Sequence, residues 1–143
     1  QAAPIKITFR YEIPDYALKG EKEMFFRPLV MNNLYNQVRS YLRIDTSLKE
    51  RKYGFKDGCS RLVELDETIQ LPAGYKLANA DKNETMQGTG ADFEGSLVQK
   101  GNKVLLHNRL ALKKRVYEAS DWESFRNAVN AHKAYGEYLV IKK

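Results

Sequence analysis

Apolar and polar residues alternate strictly near the start of the chain. Residues 5–13 place isoleucine, phenylalanine and tyrosine on one face and charged or polar side chains on the other. A period of two with β-branched and aromatic residues is typical of a half-buried strand. Residues 23–27 predict a returning strand that Pro28 ends, after a turn over residues 15–20. The beginning of the chain therefore predicts a β-hairpin.

The middle of the chain contains further predicted strands. Long strand patterns cover residues 60–71, 93–100 and 104–112, with turn signals such as Asp57-Gly58 and Gly101-Asn102 before them. Shorter extended segments are predicted at residues 51–55 and 85–87, and residues 76–83 predict a loop with a short strand at its start. Residues 29–48 fit a short helix or an ordered loop equally well, because asparagines interrupt the helical spacing.

One helix is predicted near the end of the chain, over residues 121–134. Ser120 precedes Glu123 by three positions, which is the spacing of a capping box. Residues 137–142 then form an apolar segment that fits an interior strand. The helical spacing places four apolar side chains on one face, which we expect to pack on a sheet: Trp122, Phe125, Ala128 and Val129.

These elements predict a mostly β fold, namely an antiparallel β-sandwich (Ig-like or jelly-roll-like) with one C-terminal α-helix packed on a sheet. The 143 residues fit a single domain over residues 1–143. With 43% hydrophobic and 29% charged residues, the composition excludes a disordered chain. The chain begins with Gln1 and contains no apolar run long enough for a membrane span, so we expect a module of a longer protein.

Candidate chemistry begins with the single cysteine, Cys59, which could use His107 or His132 as a base. Cys59 follows a turn and precedes no helix that would lower its pKa, so we expect an ordinary thiol. Zinc sites need three or four closely spaced ligands, and two isolated histidines predict neither a metal site nor a cofactor. Glu64 and Asp66 share one strand face, which we interpret as a solvated face. The sequence predicts no catalytic residues.

The net charge of +6 lies in one segment. Residues 96–117 contain six basic residues and no acidic one, so the rest of the chain sums to zero. One strand face could contact an anionic partner such as a nucleic acid. Aromatic side chains that would stack bases are missing from that face, and we favour an ordinary soluble face. The residues of this predicted basic stripe are Lys103, His107, Arg109, Lys113 and Arg115.

The second half of the chain also resembles a known family. The segments that carry the resemblance are residues 69–75 (Ile-Gln-Leu-Pro-Ala-Gly-Tyr), the strands with Phe93, Leu97 and residues 104–112, the pattern Trp122-x-x-Phe125-Arg126-x-x-Val129, and residues 138–143. Together they resemble the C-terminal domain of unknown function of exported bacterial transglutaminase-like proteins, over residues 51–143. The resemblance implies that an N-terminal β domain and a papain-like core precede this unit. None of the catalytic motifs of that core occurs here.

The resemblance implies a non-catalytic accessory module that packs on, or positions substrate for, an upstream transglutaminase-like domain in the bacterial periplasm or cell envelope. Its partners would be upstream domains of the same polypeptide, and a peptide or glycan is an additional expectation. The residues themselves are equally compatible with the cytoplasm. The first alternative is a carbohydrate-binding module that uses tyrosines such as Tyr16, Tyr35, Tyr41 and Tyr53. The second is a polyanion or nucleic-acid binder, which we expect less.

Overall fold

The computed structural model describes residues 13–31, 44–78 and 81–143. The predicted strand over residues 5–13 therefore lies, except for Ile13, outside the described residues. The strands are β1 (Leu18–Lys19), β2 (Glu23–Phe26), β3 (Phe55–Lys56), β4 (Arg61–Gln70), β5 (Lys76–Leu77), β6 (Lys82–Met86), β7 (Ala91–Lys100), β8 (Lys103–Leu112), β9 (Val116–Tyr117) and β10 (Leu139–Lys142). The helix α1 (Trp122–Ala134) follows a 3₁₀ turn (Ala119–Asp121).

The larger sheet is built from the strands whose alternation is longest. Its order is β4-β8-β7-β6, and all neighbours are antiparallel. The strands β4, β7 and β8 have ten residues each. They confirm the three long predicted strands to within two residues at each end. β7 and β8 are joined by the tight turn at Gly101-Asn102, where Gly101 has a positive φ of 61°.

A second four-stranded sheet has the order β1-β2-β10-β5. The strand β10 lies between β2 and β5, which confirms the interior position predicted from its apolar sequence. The strand β2 confirms the predicted return after the turn, but its described hairpin partner is β1, which lies within the predicted turn over residues 15–20. The short strands β3 and β9 pair separately.

For residues 29–48 the sequence predicts a short helix or an ordered loop. Leu29, Val30 and Met31 are helical, residues 44–48 are irregular, and the intervening residues lie outside the described part. The carboxylate of Glu67 on β4 accepts hydrogen bonds from the backbone N–H groups of all three helical residues, at 2.9, 3.2 and 3.4 Å. A carboxylate at this position satisfies donors that have no partner within the helix. The helical turn is therefore fixed to the large sheet.

The helix α1 packs on β7 and β8. Its four predicted core residues, Trp122, Phe125, Ala128 and Val129, are buried. Aromatic packing continues from the helix to Phe55 and Tyr117, which stack with ring centroids 4.6 Å apart. The helix therefore closes the core as expected.

The start of α1 differs from the prediction. No side-chain hydrogen bond caps the helix at Asp121, and Ser120 is exposed. Instead, the Asp121 carboxylate accepts a hydrogen bond from the backbone N–H of Glu118 at 2.9 Å. The reciprocal capping contact therefore lies two positions earlier than predicted, between Glu118 and Asp121 around the 3₁₀ turn.

The two sheets and the helix share one hydrophobic core. The predicted fold class is confirmed as mostly β, with antiparallel sheets and one C-terminal helix. No helix in the described ranges is long and apolar enough to cross a membrane. The largest buried members of the core come from every layer: Phe93, Leu110 and Leu112 from the large sheet, Ile141 from the small sheet, and Trp122 and Phe125 from the helix.

Candidate functional site

The large sheet has one buried face and one open face. Side chains of β8 such as Val104, Leu106 and Leu110 are buried, and those of the intervening positions are half-buried or exposed. Cross-strand partners share a face, so the register defines the open side of the sheet. We call it the outer face. Its members are Leu62, Glu64, Asp66 and Thr68 of β4, Leu105, His107, Arg109 and Ala111 of β8, and Asp92, Glu94, Ser96 and Val98 of β7.

A histidine and two carboxylates meet at the centre of the outer face. Asp66 and His107 are direct cross-strand partners, and the Asp66 Oδ1 atom lies 2.8 Å from the His107 Nδ1 atom. Glu64 comes from the same face of β4, two positions earlier. One ligand atom from each of the three residues lies within 4.8 Å of the others. The strand pairing thus assembles these groups from segments about forty residues apart in the sequence.

The sequence-predicted basic stripe is interrupted by carboxylates of the neighbouring strands. Arg109 lies between Glu64 on β4 and Glu94 on β7 in the register of the sheet. Acidic and basic side chains on the outer face and at its ends are equal in number, so their charges cancel: Glu64, Asp66, Asp92 and Glu94 against Lys100, Lys103, Arg109 and Lys113. The geometry therefore gives a surface of mixed charge in place of a continuous cationic strip.

The remaining members of the predicted stripe lie beyond the end of β8. The Lys113 Nζ atom lies 2.7 Å from the Asp92 carboxylate and donates to the Gly88 carbonyl at 2.8 Å. Burial alone would raise the pKa of Asp92, but the hydrogen bonds from Lys113 and the backbone of Gly88 hold it below its ordinary value. Arg115 is exposed, and its backbone carbonyl accepts a hydrogen bond from the N–H of Asp57. Lys113 is thus committed to an ion pair within the domain.

Apolar atoms are also accessible on the outer face. The Leu62 side chain is 57% exposed at one end, and Val98, Leu105 and Ala111 are half-buried. A groove of about 340 Å³ lies at the other end of this face and is bordered by Val98, Leu105 and the His107 ring. Accessible apolar patches with a polar border are typical of surfaces that contact another protein.

The candidate catalytic groups do not come together. Cys59 is exposed and forms no hydrogen bond with the described residues. His107 lies on the outer face, whereas His132 is fully buried beneath the opposite face, where its Nδ1 atom lies 2.5 Å from the Asn108 Oδ1 atom. Burial lowers the pKa of His132 to about 4. His132 is therefore a neutral core residue at physiological pH.

Two polar features of the interior were missed by the sequence analysis. Asn108 lies on the apolar side of β8, between Leu106 and Leu110, where its Oδ1 atom contacts the Nδ1 atom of the helix residue His132. The Asp57 carboxylate is also buried and accepts two hydrogen bonds from the Arg61 guanidinium, at 2.9 and 3.0 Å. The Asn108–His132 contact depends on tertiary packing between β8 and α1. The Asp57–Arg61 pair joins residues four positions apart at the turn before β4.

Of the four tyrosines that suggested a carbohydrate-binding module, Tyr35 and Tyr41 lie outside the described residues, whereas Tyr16 and Tyr53 are described and exposed. Tyr53 is the most exposed of them, with the Lys52 ammonium over its ring. The Arg27 guanidinium covers one face of the Tyr138 ring at 4.5 Å, and the Tyr16 hydroxyl donates to the Arg27 carbonyl at 2.7 Å. All described ring–ring contacts involve buried aromatic residues of the core.

Two comparisons with known proteins bear on this chain. The model of a family described as "Domain of Unknown Function with solved-structure structure" (DUF3858) matches residues 22–140. The fold is similar to part of a crystal structure from Parabacteroides distasonis ATCC 8503 described as "a putative protease", with a TM-score of 0.65 and 12% sequence identity over 86% of this chain. The matched part is 24% of that longer protein. No protein with a curated description matches the chain.

Proposed function

Since the chain belongs to the DUF3858 family of domains of unknown function, we propose that it acts as a non-catalytic accessory domain of a larger protein. The observation that carries the proposal is the fold likeness to one quarter of a longer protein described as "a putative protease". In that protein the shared fold is one part of a much longer polypeptide. The family resemblance of residues 51–143 supports the same relationship here, with a transglutaminase-like, papain-like part as the upstream partner.

The arrangement of reactive groups supports a non-catalytic role. Cysteine chemistry needs a thiol hydrogen-bonded to a base that a third group orients. Within the described ranges Cys59 has no such partner, and His107 and His132 lie on opposite sides of the large sheet. In this proposal the catalytic groups are supplied by the other part of the polypeptide, which we place in the periplasm or cell envelope.

The outer face is the proposed docking surface. It combines the exposed Leu62 side chain and the groove beside Leu105 with a row of alternating charge through Arg109. Desolvated apolar contacts supply most of the affinity of an interface, and alternating charges fix its orientation. A partner with the complementary alternation of charge fits this face better than a uniformly charged polymer.

The test is a binding measurement between this chain and the remainder of the polypeptide that carries it. We expect saturable binding that Leu62→Glu and Arg109→Glu each weaken by about tenfold, the effect of removing about 1.4 kcal/mol of contact energy. Val116→Glu is the matched control, because Val116 is similarly exposed, at 64%, but lies on β9, outside the outer face. The circular dichroism spectrum of each variant checks its fold.

The results separate the proposal from its alternatives. Binding that is unchanged in Leu62→Glu and Arg109→Glu contradicts docking through the outer face, and absence of binding contradicts the accessory role. Retention on DNA that falls with salt and disappears on charge reversal of Lys113, Lys114 and Arg115 would favour a polyanion binder. Binding to glycans that is lost on Tyr53→Ala would favour a carbohydrate-binding module.

A further inference from the structure

Three side chains at the centre of the outer face can reach one cation. Glu64, Asp66 and His107 each contribute one ligand atom, and these atoms lie within 4.8 Å of one another. Two of the residues come from β4 and the third comes from β8, directly opposite Asp66. We propose that this cluster is a Zn²⁺-binding site. The inference rests on these three residues and is independent of the proposed docking role.

The geometry allows the ion to bind without backbone movement. Bonds of 2.0–2.2 Å in a tetrahedral site place ligand atoms about 3.4 Å apart. The Asp66 Oδ1 and His107 Nδ1 atoms are already 2.8 Å apart and would separate slightly, whereas Glu64 would move toward them. Glu64 and Asp66 are exposed, and their side chains can rotate toward the imidazole. The His107 side chain is only 29% exposed and is held at 2.8 Å from Asp66. The imidazole is therefore the fixed ligand, to which the carboxylates adjust.

The carboxylate oxygens are available to a ligand. Glu64 forms no hydrogen bond or ion pair with any described residue, and the contact of Asp66 in those ranges is the one with His107. Arg109 is opposite Glu64 in the register and has Glu94 on its other side. Its guanidinium is not within ion-pairing distance of any described carboxylate. Glu64 and Asp66 place two carboxylates beside the imidazole, and a divalent cation bound between them would interact favourably with both.

The ligand set favours zinc among the common cations. Mg²⁺ and Ca²⁺ prefer sites made of oxygen atoms, whereas one imidazole nitrogen with carboxylate oxygens suits Zn²⁺. Three protein ligands leave one coordination position of a tetrahedral ion open. Because the cluster lies on an open face, that position points toward solvent, where a water molecule or a side chain of a bound partner can occupy it.

The experiment is isothermal titration calorimetry with Zn²⁺ alone and with Mg²⁺ alone, on metal-free chain in a non-chelating buffer. All proteins carry Cys59→Ser, because an exposed thiol also binds zinc. We expect one Zn²⁺ per chain and no comparable binding of Mg²⁺. The variants His107→Gln and Glu64→Gln should each weaken zinc binding by at least about tenfold. Glu94→Gln removes a carboxylate of the same face outside the cluster and should change the affinity by less than about threefold.

The His107 ring provides a second readout. In the protein that retains Glu64, Asp66 and His107, the ¹⁵N chemical shifts of the His107 ring should change on addition of one equivalent of Zn²⁺. Those of the buried His132 ring should not change. Absence of saturable one-to-one binding overturns the proposal, as does zinc binding that His107→Gln leaves unchanged. If zinc binds as expected but Leu62→Glu and Arg109→Glu leave docking unchanged, the zinc site stands and the proposed docking function alone is contradicted.

Discussion

Acid should destabilise this protein through one buried histidine, His132. His132 is fully buried on α1, and its Nδ1 atom faces the Asn108 Oδ1 atom. The Asn108 oxygen is an acceptor, so the His132 Nδ1 atom is the donor of this hydrogen bond. Burial lowers the pKa of His132 to about 4. The neutral form is therefore part of the folded structure.

The sign of the effect follows from where the proton binds. The unfolded chain binds a proton at His132 near the ordinary pKa of about 6.5 and the folded chain only near 4, so acid favours the unfolded state between these values. At about 1.36 kcal/mol for each pH unit between the two values, the loss amounts to about 3 kcal/mol. This contribution is fully present above pH 6.5 and lost by pH 4. The lowered pKa values of Asp92 and Asp121 affect stability only below that window.

The assay is urea denaturation of the intact chain at several pH values from 7.5 to 4.5, followed by circular dichroism. The free energy of unfolding should fall with a slope approaching about 1.4 kcal/mol for each pH unit, the signature of one proton. His132→Gln should flatten this slope, and His107→Gln, which removes the half-buried histidine of the outer face, serves as the matched control. If the free energy of unfolding of the unmutated chain does not change between pH 7.5 and 4.5, the reasoning is refuted, whether or not His132→Gln folds.

Two further predictions concern stability. Glu67→Gln removes the charge that faces three N–H groups of the helical turn at residues 29–31. It should lower the free energy of unfolding, measured by urea denaturation, by about 0.5–2 kcal/mol. An unchanged free energy of unfolding would show that the turn does not depend on this carboxylate. Gly95→Ala would place a Cβ atom 2.6 Å from the Phe93 ring and 2.7 Å from the Tyr135 ring. It should cost about 1–3 kcal/mol, measured in the same way, whereas Gly58→Ala meets no atom within 4 Å and serves as its control.

The sequence predicted those elements whose patterns are long. β4, β7 and β8 alternate over ten residues each, and the helix repeats its apolar positions over more than three turns. In both cases many positions agree on one periodicity. The two-residue strand β1 lies in a segment for which the sequence predicts a turn, because so short a segment has no measurable period. It is formed only by pairing with β2.

The candidate site could be predicted in part. The strand pattern correctly placed Glu64 and Asp66 on one face of β4, and His107 and Arg109 on one face of β8. It did not indicate that β4 and β8 are neighbours, since strand pairing over this distance depends on the whole fold. For that reason the predicted basic stripe omitted the carboxylates beside it, and the cluster around His107 was not foreseen.

The most direct test of the accessory role is the chemical accessibility of the outer face in the intact parent protein. In a Cys59→Ser background, Glu94→Cys places a thiol on the outer face and Val116→Cys places a matched thiol outside it. Thiol labelling, measured on the peptides by mass spectrometry, should be fast at both positions in this chain alone. In the intact protein we predict slow labelling at position 94 and unchanged labelling at position 116. Equally fast labelling at position 94 in both proteins would contradict docking through this face.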